Sequence, residues 1–212
     1  MGQIFNRRRA TRGHQAIPYG AVDLGLPSGL LWAQGNIVKD AQGNYSMGNP
    51  TDYGCYFSWG NIEGHNNGDG YSFDTTNYNS TSGSQLATDI ASNDAQHNAA
   101  FAHLGSPWRI PTNVDFQELI DNTDLQRTTI DGVYGFKLMK KSDHSVFIFL
   151  PASGLMNKTT ANQFNSRGYY SSSSLYSAAN TYYLFCTATR FEVVNSSRIY
   201  GYTIRPVYNP NS

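Results

Sequence analysis

The sequence predicts an α+β domain in which many short antiparallel strands flank two helices in the middle of the chain. Three observations carry that prediction. Short apolar and aromatic runs, each closed by Gly, Pro, Asn or Ser, occupy both ends of the chain. Apolar residues at three- and four-residue spacing are confined to the middle, before and after Pro111. Finally, of 212 residues 39% are hydrophobic and only 14% charged, with 15 tyrosines. A disordered chain is poor in aromatics and rich in charge, so this one folds, and its length suits one well-filled domain.

Residues 1–17, "MGQIFNRRRATRGHQAI", read as a basic arm outside the fold, a solvated tail or a tether that meets an assembly partner. The basic residues are not followed by an apolar run, so no secretory signal is expected. The folded part spans 18–208. It opens with a strand around Val22 and Leu24, a turn at Pro27-Ser28-Gly29 and a return strand from Leu30 to Trp32. "YGCYFSWGN" (53–61) reads as an aromatic strand closed by glycine, and Asn61–Ser84 as a long surface loop. Ala87–Leu104 reads as helical. Pro111 breaks the chain and Thr112 caps a second helix, with Asp115 three residues on and Phe116, Leu119 and Ile120 as its apolar stripe. "GVYGFKLMKK" and "HSVFIFLPA" form a hairpin across Lys140–Asp143. Further strands run through Tyr182–Cys186, Arg190–Val194 and Tyr202–Val207. In the first of these, the alternating set Tyr182, Leu184 and Cys186 is expected to face the core, leaving Tyr183, Phe185 and Thr187 on the opposite side.

Several function classes are set aside on residue types alone. Lys plus Arg equals Asp plus Glu at 15 each, so no net field draws the chain to nucleic acid. No run of apolar residues is long enough for membrane insertion. The five histidines (His14, His65, His97, His103, His144) carry no metal spacing, "GHNNGDGYS" lacks the ordered alternation of a calcium loop, and neither metal nor cofactor is expected. No Gly-x-Ser-x-Gly turn is present, and Asp115 and Glu118 read as helix first-turn charges rather than an acid/base pair, so no catalytic residue is assigned. Cys55 and Cys186 are compatible with one disulfide or with two buried thiols. Trp108 reads as core, and Arg205 as a structural ion pair or backbone clamp.

Five blocks in order, "VDLGLPSGLLWA" (22–33), "WRIPTNVDFQEL" (108–119), "FLPASG" (149–154), "GYYSSSS" (168–174) and "GYTIRPV" (201–207), carry a resemblance. Together they resemble the major paralogous domain family of gut bacteria and their phages, a branch of the C-type-lectin fold. They are also similar to the variable proteins of diversity-generating retroelements. The family's fourth block usually reads Tyr-Trp-Ser-Ser, where this chain has Tyr170. The resemblance implies a C-type-lectin-like domain over 18–208, a diversified region at about 165–205 and a place on a virion or bacterial cell surface. Its partner would be a protein or cell-surface ligand. The motifs of calcium-dependent sugar binding are absent, so that activity is not carried over. Nor does the reactive cysteine pair of the fold-related formylglycine-generating enzymes occur, since Cys186 stands alone near the C-terminus.

The resemblance also implies a coding bias. Adenine mutagenesis within AAY codons leaves NNY codons, which exclude Met, Trp, Gln, Lys and Glu. Those five types number 23 in residues 1–163 and one, Glu192, in the last 49. "GYYSSSSLYSAANTYYLF" (168–185) then reads as a contact surface: tyrosine adds broad area with few torsions to freeze, and Ser and Asn add adaptable hydrogen bonds. The candidate ligand-binding residues are Tyr169, Tyr176, Ser177, Asn180, Tyr183, Phe185, Thr187, Arg190, Ser197, Ile199, Tyr200 and Tyr202. The five tyrosines are expected on one exposed face with Phe185. The alternative reading is a structural virion or surface module without variable ligand binding.

Overall fold

The computed structural model describes residues 17–74 and 86–210, so the basic arm up to residue 16 and part of the predicted 61–84 loop lie outside the described residues. In chain order the elements are β1 (Ala21–Val22), β2 (Leu31–Ala33), β3 (Ile37–Lys39), β4 (Tyr45–Met47), β5 (Tyr56–Phe57) and α1 (Ala99–Leu104). Next come β6 (Trp108–Arg109), α2 (Asn113–Asn122), β7 (Thr123–Ile130), β8 (Val133–Lys140) and β9 (Asp143–Pro151). The C-terminal part holds β10 (Leu155–Asn157), β11 (Thr160–Asn162), β12 (Gly168–Leu175), β13 (Asn180–Cys186), β14 (Phe191–Ser197), β15 (Tyr202–Thr203) and β16 (Val207–Tyr208). This is an α+β architecture. The strands form a five-stranded sheet β14-β13-β12-β15-β5, a four-stranded sheet β1-β2-β16-β6, a meander β7-β8-β9 and two hairpins, β3-β4 and β10-β11. Pairing is antiparallel except where Tyr170 of β12 meets Thr203 of β15.

Local chemistry explains where the helices begin. Thr112 accepts from Asp115 N while the Asp115 carboxylate accepts from Thr112 N, a reciprocal cap that satisfies two orphan donors. Arg109 adds an ion pair to the same carboxylate at 2.6 Å. α1 is shorter than the 87–104 spacing predicts. Asn98 is its N-cap: the buried amide donates to Ala91 O and Ser92 O and accepts from Phe101 N and Ile110 N. Those bonds hold residues 91–98 in turns, so the helix starts only at Ala99. β7 is a strand that the pattern of apolar residues does not announce, because "TDLQRTTI" has one half-buried aliphatic, Leu125, in its middle.

The main core joins α2 to the sheets through Trp32, Phe116, Leu119, Phe136, Tyr170 and Leu184. Trp108 and Leu119 are buried as expected, and Ile204 is buried with them. Behind the core Arg205, fully buried, acts as a backbone clamp rather than one half of an ion pair. Its guanidinium donates to Asn36 Oδ1 (2.8 Å), Ala33 O (3.0 Å), Gln34 O (2.6 Å) and Phe149 O (2.7 Å). Burial lowers its pKa to about 10, so it stays charged near neutrality. Cys55 and Cys186 are both free and buried; burial raises the Cys55 thiol to about 12 and Cys186 well above its ordinary value.

The predicted 61–84 loop is anchored in its described part. His65 pairs with Tyr56, Phe73 pairs with Lys158, and the His65 ring stacks on Tyr71 at 3.5 Å. Gly201 is required opposite this plug: a Cβ there would stand 2.5 Å from the Phe73 ring. Burial lowers the pKa of His65, against the raising effect of Asp69 and Glu63, with Lys39 also lowering it. Burial likewise lowers His103, which stacks on Tyr45 at 3.7 Å. In the unfolded chain both rings take up protons at the ordinary value of 6.5, before the folded state does. Stability contributed by the neutral rings is therefore complete above that value and lost as the pH falls through it. Thermal melts of His65→Gln and His103→Gln should show a smaller loss of Tm between pH 7 and pH 5 than the parent chain.

Candidate ligand-binding face

The serine run is the buried centre of the sheet, not a surface. β12 is central in its sheet, and Ser171 to Ser174 are all buried. Its pairing with β13 shifts register between Ser171 and Leu175, and the freed groups are taken up by crossing segments. Trp59 Nε1 donates to Ser172 O at 2.9 Å, Ile90 N to Ser173 O at 2.9 Å and Ser173 N to Pro111 O at 2.8 Å. Asn113 N reaches Ser174 Oγ at 3.2 Å, and Thr181 Oγ1 donates to Ser174 O. Small side chains let three segments approach one strand, which is the physical reason for four serines in succession. The expectation that this stretch is a contact surface is corrected accordingly.

β13 alternates as its sequence implies. Leu184 and Cys186 enter the main core, while Tyr183 and Phe185 turn to the opposite side of the sheet. There they meet Tyr169 of β12 and Tyr202 of β15, with Tyr200, Val194 and Leu155 packed alongside. Tyr183 and Tyr202 stack at 4.9 Å, Tyr169 and Tyr202 at 5.9 Å, and Tyr169 and Tyr183 at 5.7 Å. The rings cover one another, so Tyr169, Tyr183, Phe185 and Tyr202 are buried rather than exposed, with Tyr202 at 1%. Desolvation pushes the Tyr183 phenol up to about 12 and raises Tyr169 and Tyr202 as well. Tyr169 donates to Gln163 Oε1.

Nor do all the candidate residues share that side. Tyr176 is 53% exposed and packs edge-on against Tyr182 at 5.3 Å, away from the tyrosine stack. Asn180 and its partner Ser197 fall by strand alternation on the Tyr182 side, and Ser177 organises the exposed turn between β12 and β13. Ile199 is half-buried beyond Ser197. Thr187 turns out to be a turn organiser: its hydroxyl accepts from Thr189 N (3.2 Å) and Arg190 N (2.8 Å). Replacing it should cost about 1 kcal/mol in chemical denaturation; Ser177→Ala, whose hydroxyl holds its turn through longer contacts of 3.4 and 3.2 Å, should cost less, about 0.5 kcal/mol.

Beside the stack, at the turn between β13 and β14, lies an open cavity of about 420 Å³ lined by Ser166, Arg167, Phe185, Thr187, Thr189 and Arg190. Arg190 sits over the Phe185 ring at 5.1 Å and pairs with Glu192; Arg167 approaches the same ring at 5.9 Å. Arg167 was not among the candidates, and its signal is faint: one exposed cation immediately before Gly168. Arg198 adds no charge to this face: it is buried over Trp59 at 4.6 Å and donates to Leu86 O. Among the described residues no cluster of three or more His, Cys, Asp or Glu is placed to hold a metal, and no helix is long and apolar enough to cross a membrane. No family model, curated protein or solved structure matches this chain.

Proposed function

We propose that the chain is a display protein of C-type-lectin-like fold whose residues 165–205 form a diversified surface for a protein or cell-surface ligand, without catalytic chemistry or a cofactor. A virion or a bacterial surface is the setting the sequence resemblance favours. The observation that carries the reading is the tyrosine layer on the far side of β13: interlocked rings on a hydrogen-bonded sheet, edged by Tyr200, Arg167, Arg190 and an open cavity. Such a layer is a pre-ordered platform, and the residues at its margin are where contact side chains can vary without loss of support. The burial of Tyr169, Tyr183, Phe185 and Tyr202 favours a second reading, a structural module in which the stack is a satellite core.

The two readings separate in a binding experiment. Fluorescently labelled protein is titrated onto intact bacterial cells, with and without chelator and from low to high salt. Since Arg190 is offset by Glu192 and Arg198 is buried, Arg167 is the main exposed positive charge at this margin, so affinity should fall only slightly with salt and be insensitive to chelator. Tyr200→Ala and Arg167→Ala, both at the margin of the layer, should each weaken binding by about 1–3 kcal/mol while costing little stability. Saturable binding that survives both substitutions, or none to any cell type, would favour the structural module.

A further inference from the structure

The five-stranded sheet has two edges, and they are treated differently. At the β5 edge the outer side of Tyr56 is already paired with His65, with hydrogen bonds of 2.9 Å in both directions. At the other edge stands β14, seven residues long and paired with β13 in unbroken register from Cys186↔Phe191 to Asn180↔Ser197. The bonds Thr187 N to Arg190 O (2.7 Å) and Arg198 N to Ala179 O (3.1 Å) close the two ends of that ladder and set its phase. In that phase Glu192, Val194 and Ser196 bond inward to β13, and the N–H and C=O groups of Phe191, Val193, Asn195 and Ser197 point away from the sheet. Among the described residues no segment bonds to these outward groups.

Natural edges are guarded by lysine, proline, bulges or a covering segment. β14 has no lysine, no proline and no register shift, and its one charged side chain, Glu192, is already paired with Arg190. We infer that β14 is the pairing edge for a second copy of this chain, joined antiparallel about a two-fold axis at Val194. The identity of the occupant follows from self-complementarity. Full overlap of residues 191–197 with themselves is reached only when Val194 faces Val194 of the second copy, since Val194 is the midpoint. That register sets Glu192 opposite Ser196, Val193 opposite Asn195 and Phe191 opposite Ser197. A register centred on Glu192 would instead set two carboxylates face to face, which is destabilising. The outward groups of four residues on each copy then satisfy one another, and both sheets continue as one. Equal numbers of acidic and basic residues, 15 each, leave no net charge to keep two copies apart.

Val194 in that register is a non-hydrogen-bonded antiparallel pair, with the close Cα spacing that a disulfide accepts. The native thiols of Cys55 and Cys186 are buried and leave such a test unconfused. In the full chain, Val194→Cys should oxidise to a covalent dimer. Glu192→Cys and Ser196→Cys should each give no covalent dimer alone and should cross-link when mixed. Light scattering across a concentration series should show the parent chain at twice the monomer mass. Asn195→Pro removes an outward N–H and no inward ladder bond, so it should give a monomer with an unchanged far-UV spectrum and melt. A parent chain that stays monomeric throughout the series overturns the inference. So does cross-linking of Ser196→Cys alone with none of Val194→Cys, or an Asn195→Pro chain that is folded and still dimeric.

Discussion

Arg205→Ala should lower the free energy of unfolding by about 3–5 kcal/mol, the largest effect expected of any single substitution away from the aromatic core. Four acceptors, Asn36 Oδ1, Ala33 O, Gln34 O and Phe149 O, are supplied by one guanidinium and would be stranded in a buried site without it. The loss is a large fraction of the stability of an ordinary domain, roughly 5–15 kcal/mol, so the variant should unfold at a much lower urea concentration than the parent. Arg205→Lys should recover little, because a single ammonium cannot reproduce a planar fork that bonds in several directions at once. Urea unfolding of the three chains measures this directly. A midpoint for Arg205→Ala within error of the parent would mean that the clamp is dispensable.

Tyr202→Ala should cost about 3–5 kcal/mol of stability, because a fully buried aromatic in contact with both Tyr169 and Tyr183 is removed. The same change at Tyr200, which lies half-buried at the margin, should cost far less stability. Proteins whose C-terminal region tolerates variation must keep those two classes apart. A denaturation series in which Tyr200→Ala and Tyr202→Ala lose stability equally would remove the distinction between support and contact.

Where the sequence was informative, the physics was local. The cap of α2 is legible as Thr112 followed by Asp115, and the β8–β9 hairpin as two apolar runs around a short polar link. The two sides of β13 are legible as simple alternation. What was misread depends on partners distant in the chain. The Ala87–Leu104 spacing looks helical until the Asn98 amide is seen to tie residues 91–92 to Ile110. Alternation assigns Tyr183 and Phe185 to a side but is silent about what covers that side. Their burial follows from Tyr169 and Tyr202 arriving on neighbouring strands. Ser171–Ser174 has the composition of a contact loop, yet its small side chains serve a crowded crossing. Arg205 looks like an ordinary residue before a proline, and its four acceptors come from two segments far from it in sequence, 33–36 and Phe149.

The pairing of Val207 with Trp32 has a consequence for how the chain reaches its fold. Arg205 grips Ala33 at a sequence separation of 172, and β2 cannot find its neighbour β16 until Val207 and Tyr208 have been made. Contacts of such high sequence separation make folding slow, and the edges they will occupy stay open while a ribosome is still adding residues. β16 is thus the keystone for β2, a strand made about 170 residues before it. A frameshift or early stop anywhere before residue 205 would leave a chain unable to close, exposed to proteases and cleared. Completion of the C-terminal region is in this way a built-in proof of reading frame.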